Sequence, residues 1–270
     1  MKKRLSVLLL VSSAAAVIVR LLQQIFGFEA VTGLPVHSFL FTLPILLLLL
    51  LWFGAVRPLP DQDLPGFPQG FPLTKNSLFL PVAGIFLIAL SGVAWLFFGM
   101  MPQASQAIAA DGTLVSVVTT GPLSFGSMTI LGILHLIMAV CLFPAAAACR
   151  VREDGSFKPI SSAILMAPPV ILVIRLVLIY RVNSVDPLIA HYAVELLAMA
   201  ALTLAFYRLA GFSCGVGGSR RFVLYAGWAV ILGLASLPAG QGIPDLLFYL
   251  GTSLLLLGLV TARLQALENK

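Results

Sequence analysis

Eight apolar stretches, each near the length a helix needs to cross a bilayer, take up most of this 270-residue chain. A hydrocarbon core about 30 Å thick calls for about 20 mostly apolar residues per span. The stretches are Leu5–Gln23, Ser38–Val56, Leu78–Met101, Leu123–Cys149, Ile160–Val182, Pro187–Leu209, Phe222–Leu237 and Ile243–Leu264. Positive charge falls on every second connection between them. Lys2, Lys3 and Arg4 precede the first stretch, and Arg57 and Lys75 separate the second from the third. Arg150, Arg152 and Lys158 follow the fourth, Arg208, Arg220 and Arg221 the sixth, and Arg263 and Lys270 the eighth. Thirteen of the sixteen Lys and Arg residues thus lie on one side, Arg20 and Arg181 on the other, and Arg175 within a span. Basic residues collect in cytoplasmic connections. The expected fold is therefore all-α: a polytopic bundle of eight transmembrane helices, with N-terminus and C-terminus both cytoplasmic.

Apolar residues make up 60% of the chain and charged ones 10%, far from the averages of water-soluble domains. Helices are expected rather than a barrel, because runs such as Leu46–Leu51 do not alternate as barrel strands do. The longest basic connection, Arg57 to Ser77, holds Pro58, Pro60, Pro65, Pro68 and Pro72 with Gly66 and Gly70, so it reads as an irregular loop without a core of its own. Residues 1–270 then form a single integral membrane domain. The net charge of +6 follows from the loop bias and favours anionic lipid headgroups on the cytoplasmic face. It does not indicate nucleic acid, since the basic residues are scattered over separate loops with no recognition motif. Cys141, Cys149 and Cys214 have no metal-knuckle spacing and are expected to stay reduced.

Lys2-Lys3-Arg4, the apolar run after it and Ala14-Ala15-Ala16 also fit a cleaved signal peptide. Continuation of the run through Ile18, Val19, Leu21 and Leu22 favours an uncleaved first span. No repeat relates the two halves. Pro44, Pro81, Pro144 and Pro168-Pro169 interrupt spans, and helix shaping accounts for them. Trp52, Trp95 and Trp228 sit inside spans, where packing explains them better than an interfacial belt. The connection from Pro102 to Pro122 is polar in patches, with an alternating segment at Leu114–Val118.

Ionisable residues inside spans are costly and are the natural site candidates. His191, Tyr192 and Glu195 are spaced i, i+1, i+4 on the sixth span, which puts His191 and Glu195 on one face. Arg175 stands alone on the fifth and His135 near the middle of the fourth. Arg20, Gln23 and Gln24 form a stripe at the outer end of the first, extended inward by Ser12, Ser13 and Ala16. The fifth and sixth spans make a hairpin near Asn183–Asp186. At 1.5 Å per residue, Arg175 lies roughly 10 Å and Glu195 roughly 13 Å from the turn. The two charges share a depth, which predicts an Arg175–Glu195 ion pair. Its plainest role is to fix helix packing. Its functional reading is an outward-facing polar site of Arg20, Arg175, His191 and Glu195, with a positive excess suited to an anionic or zwitterionic ligand. Snorkelling to headgroups is the commoner fate of an arginine placed like Arg20. His135, His191 and Glu195 lack the spacing of a metal site, and no metal or cofactor is expected. Gly211–Arg221 is glycine-rich but lacks the Lys-Ser/Thr ending and preceding strand of a phosphate loop.

Phe28–Pro35 after the first span, with Tyr207–Phe212 after the sixth, resembles a pattern in uncharacterised bacterial multi-pass membrane proteins. The resemblance implies a bacterial cytoplasmic (inner) membrane protein and brings no activity with it. The eight-span intramembrane prenyl-protein proteases use a paired-glutamate motif, and no Glu-Glu occurs here. Rhomboid proteases need Gly-x-Ser-Gly, which Phe125-Gly126-Ser127-Met128 does not supply. The function expected is therefore non-enzymatic: an accessory or regulatory membrane component with a membrane-protein partner. The alternatives are a small-solute transporter or receptor using the polar site between the first, fifth and sixth spans, and a membrane enzyme acting on a lipid-soluble substrate through His135 and Glu195.

Overall fold

The computed structural model describes residues 2–28, 38–60, 66–74, 77–100, 104–108, 114–118, 125–151, 156–158, 160–183, 189–239 and 242–268. They contain eight α-helices: α1 (Lys2–Phe26), α2 (Ser38–Val56), α3 (Phe79–Met100), α4 (Phe125–Ala148), α5 (Ser162–Asn183), α6 (Ile189–Ser213), α7 (Ser219–Ala235) and α8 (Ile243–Glu268). Each apolar stretch thus became one helix. Six helices are long and apolar enough to cross a membrane, α2 offers a shorter apolar stretch (Leu40–Val56), and α7 falls outside both groups. Apart from one short hairpin, the described residues are helical, and the chain is a multi-pass, membrane-embedded protein. Between α3 and α4 the alternating segment pairs as an antiparallel hairpin, β1 (Ala104–Ile108) with β2 (Leu114–Val118). Of Phe28–Pro35, only Phe28 lies within the described residues.

Helices α3 to α8 form a closed ring, each packed on the next and α8 returning to α3. Helix α1 lies against α7 and α8, and α2 packs on α1 and α7. Inner and outer positions follow from this order. Of the apolar window of α8, 67% is buried, against 33% for α1. Val7, Leu10, Ile18 and Ile25 of α1, Leu47 and Leu50 of α2, and Val140 and Phe143 of α4 are each more than half exposed. Such aliphatic faces are at home in lipid rather than water.

With hydrocarbon on one side and protein on the other, helix association depends on close packing, so small residues set the seams. A Cβ on Gly84 would lie 2.5 Å from the Gly251 carbonyl oxygen, and one on Gly251 2.7 Å from that of Gly84. The α3 and α8 backbones therefore touch there. Gly92 and Gly132 do the same between α3 and α4. The α2–α7 seam uses tryptophan instead. Trp52 Nε1 donates to the Leu224 carbonyl at 3.2 Å, and Trp228 Nε1 donates back to that of Leu49 at 3.0 Å. Gly227 makes room for this clasp, since its Cβ would sit 2.0 Å from Trp52 Nε1. The packing role expected of these two tryptophans is what they have.

The proline-rich connection after α2 has no core of its own, yet part of it is drawn into the bundle. Phe71 and Leu73 are fully buried. Phe67 N–H donates to the Phe212 carbonyl, Leu73 N–H to that of Cys149, and Val151 N–H to that of Leu73. The glycine-rich segment after α6 is a helix stop. Gly215 has φ +74°, Val216 N–H reaches the Gly211 carbonyl and Gly215 N–H that of Phe212. This is the Schellman pattern, in which a left-handed glycine lets two late amides satisfy terminal carbonyls.

Candidate functional site

The buried charge inside the ring centres on Arg175 of α5, which is fully buried. Its Nη2 donates to Asp245 Oδ1 at 2.6 Å, and its Nη1 bonds His135 Nε2. On the other side of the imidazole, His135 Nδ1 is 3.0 Å from Ser91 Oγ, and the Ser91 hydroxyl donates to the Pro244 carbonyl at 2.6 Å. That chain fixes the tautomer. The serine proton goes to a carbonyl, so Ser91 Oγ accepts from His135 Nδ1–H, and Nε2 is left as the acceptor for arginine. His135 is thus a neutral link between α3, α4 and α5.

Helix α8 supplies the rest. Asp245, Phe248 and Tyr249 stand at i, i+3 and i+4, on one face. The Phe248 ring stacks on His135, with centroids 4.5 Å apart and planes 17° apart, and lies 3.7 Å from the Arg175 guanidinium carbon. The Tyr249 ring lies 5.5 Å from the same carbon. Pro244 occupies the first turn of α8, where its missing N–H removes no helix bond. Asp245 in that turn also faces the favourable end of the helix dipole.

The expected Arg175–Glu195 ion pair is not the pair that forms. Among the described residues the one salt bridge is Arg175–Asp245, and the bonds of Arg175 go to Asp245 and His135. Depth alone allowed Glu195, but α8 lies across the ring from α5 and turns Asp245 towards it. Glu195 is buried, and its Oε2 has no hydrogen-bond partner among the described residues. Nor does Arg20 snorkel. It is fully buried and its Nη1 donates to Gln23 Oε1 at 2.7 Å, one turn along the expected stripe. Ser12, Ser13 and Ala16 are buried as well. Two arginines (Arg20, Arg175) are buried along with two carboxylates (Glu195, Asp245), so their formal charges balance. The positive excess expected from three of these residues is cancelled by the fourth. The His191 side chain lies outside the described residues.

A cavity of about 250 Å³ reaches this cluster at the α7–α8 turn, with Ser236, Gly242, Asp245 and Tyr249 among its walls. The buried Tyr249 hydroxyl has no hydrogen-bond partner among the described residues. Among the described residues no three His, Cys, Asp or Glu side chains come together as a metal site.

Sequence reasoning passed over Asp245, Ser91, Phe248 and Tyr249. Asp245 stands two residues inside the last span, and its position beside a proline in a helix's first turn was the available signal. Arg263 was counted as a cytoplasmic loop charge. It is instead fully buried at the opposite end of α8 from Asp245. Its Nη1 donates to the Gly70 carbonyl and its Nη2 to Ser219 Oγ, each at 2.8 Å. Its guanidinium carbon lies 4.5 Å from the Phe212 ring and 5.1 Å from that of Phe71. This second arginine ties the 66–74 segment to the start of α7.

No protein-family model, curated protein or solved structure matches the chain.

Proposed function

We propose that this chain is a non-enzymatic, accessory or regulatory component of the bacterial cytoplasmic membrane. In this reading it crosses the bilayer eight times with both termini in the cytoplasm, meets anionic lipid headgroups there, and works beside another membrane protein. The observation that carries the reading is the use made of His135. Both of its nitrogens are held inside the bundle, by Arg175 and Ser91, and its face is covered by Phe248. The side chain best suited to acid–base chemistry therefore joins helices. The enzyme alternative needs His135 and Glu195 on a common cavity, and neither lines the one at Asp245. The test is affinity purification of the tagged chain from its native membrane in mild detergent, with mass spectrometry of what copurifies. A stoichiometric membrane-protein partner is the expected result; a chain that purifies alone overturns the subunit reading.

The transporter or receptor reading keeps one specific support, the cavity that reaches Asp245 and the unbonded Tyr249 hydroxyl. Its site moves from Arg20, His191 and Glu195 to Asp245, Tyr249 and Arg175. The balanced formal charge also removes the reason for an anionic ligand and favours a zwitterionic or neutral polar one. A small molecule copurifying with wild-type protein and lost from Tyr249→Phe would bring this reading to first place.

A further inference from the structure

We infer that the seam between the end of α2 and the start of α7 is a binding site for the phosphate headgroup of an anionic phospholipid. A cavity of about 270 Å³ opens there, lined by Arg57, Arg220 and Arg221 with Phe53, Val56 and Leu224. Its walls combine two chemistries. Three arginines line one place, with no acidic residue among the described residues of the lining, and among the described residues none of the three has a salt-bridge partner. Arginine presents planar paired donors that match phosphate oxygens. Beside them the lining is apolar. From Phe53 an exposed ridge continues along α2 through Leu50 and Leu46, spaced i−3 and i−7 and 62% and 42% exposed. A free phosphate ion has no use for that ridge, whereas an acyl chain does.

The cavity is also held open by its surroundings. The Trp52–Leu224 hydrogen bond clamps α2 to α7 just inside it. Arg263 grips Ser219, the residue before Arg220. The start of α7 is therefore pinned, and Arg220 and Arg221 are presented from a fixed turn. Gly218 before it brings no capping side chain, so the first amides of α7 add to the positive field. The inference deepens the expectation of anionic headgroups at this face. It rests on membrane embedding alone and is independent of the role proposed for the Arg175 cluster.

The test uses the full chain in neutral detergent, titrated with phosphatidylglycerol, with phosphatidylcholine, and with inorganic phosphate or glycerol phosphate. Bound lipid is read by native mass spectrometry. Wild type is expected to retain phosphatidylglycerol over phosphatidylcholine. Each arginine near an anionic surface is worth about fivefold in affinity, so the R57Q/R220Q/R221Q variant should lose roughly 100-fold. Arg150→Gln, an exposed arginine outside the cavity, should change little. Unchanged retention in a folded triple variant overturns the site, and full competition by inorganic phosphate overturns the lipid as its source. Should the triple variant not fold, a photoactivatable phosphatidylglycerol on wild-type protein decides. Crosslinks within Phe53–Arg57 and Arg220–Leu224 support the site, and crosslinks elsewhere overturn it.

Discussion

Asp245→Ala removes the carboxylate that neutralises Arg175. The arginine side chain is 0% exposed and the aspartate 11%, so the guanidinium left behind is a buried charge without its carboxylate. Breaking a buried ion pair by deleting one partner costs about 3–5 kcal/mol. The lower end is expected here, about 3 kcal/mol, because His135 Nε2 still accepts from Nη1 and the Phe248 face still covers the charge. Asp245→Asn retains an acceptor oxygen and should cost less. The informative comparison is the double variant R175M/D245A. It carries no unpaired charge and should be more stable than D245A alone, with a coupling of at least about 1.5 kcal/mol. The parallel cycle of Arg175 with Glu195 should give a clearly smaller coupling, since those two make no direct bond. Both cycles can be read from reversible unfolding in mixed micelles, followed by the fluorescence of the buried tryptophans. A coupling between Arg175 and Asp245 within about 0.5 kcal/mol of zero, or a larger one with Glu195, would refute the reasoning.

Glu195→Gln should cost less than half as much as Asp245→Ala, because Glu195 Oε2 makes no hydrogen bond and Arg20 keeps Gln23; equal losses in the same assay would count against this. Gly227→Ala should destabilise by about 1–3 kcal/mol by driving a methyl into the Trp52 indole, and Trp52→Leu in the same chain should recover part of it; a G227A protein melting like wild type would show that the α2–α7 seam can give. Arg263→Gln removes two hydrogen bonds from a charged donor, each worth about 1.5–3 kcal/mol, and should free the 66–74 segment. Hydrogen exchange at the Phe71 and Leu73 amides should then rise, and unchanged protection would mean that the segment holds without it.

Much of the architecture could be read before any coordinates. The ends of α2 coincide with the expected span, and those of α3 and α5 differ from it by a residue or two. The Arg20–Gln23 stripe follows from spacing, and the packing role of Trp52 and Trp228 from their place inside spans. The failures share a cause. Arg263 looked like a loop charge because it sits near the end of a span. Only the fold shows the 66–74 segment turning back beneath it, with Gly70 and Phe71 against the guanidinium. Asp245, two residues inside the last span, likewise shows its partner only in the fold. The glycines at 84 and 251 carried no signal, since nothing in one dimension says that two helices far apart in the chain will touch.

Hydropathy and the order of charges are properties of a line, and a bilayer reads them along its normal. They decide that this chain enters a membrane as helices and, to within a few residues, where each helix runs. Arg175 and Glu195 were placed at a common depth on that basis. Which groups meet at a given depth depends on two further coordinates, the azimuth of each helix and the identity of its neighbours. Those come from the packing of whole faces, glycine against glycine at the α3–α8 seam and tryptophan against carbonyl at the α2–α7 seam. The closed ring of α3 to α8 set Asp245 against Arg175. An unpaired charge in hydrocarbon is costly whichever partner relieves it, so the sequence demanded a counter-charge for Arg175 and tertiary packing chose it.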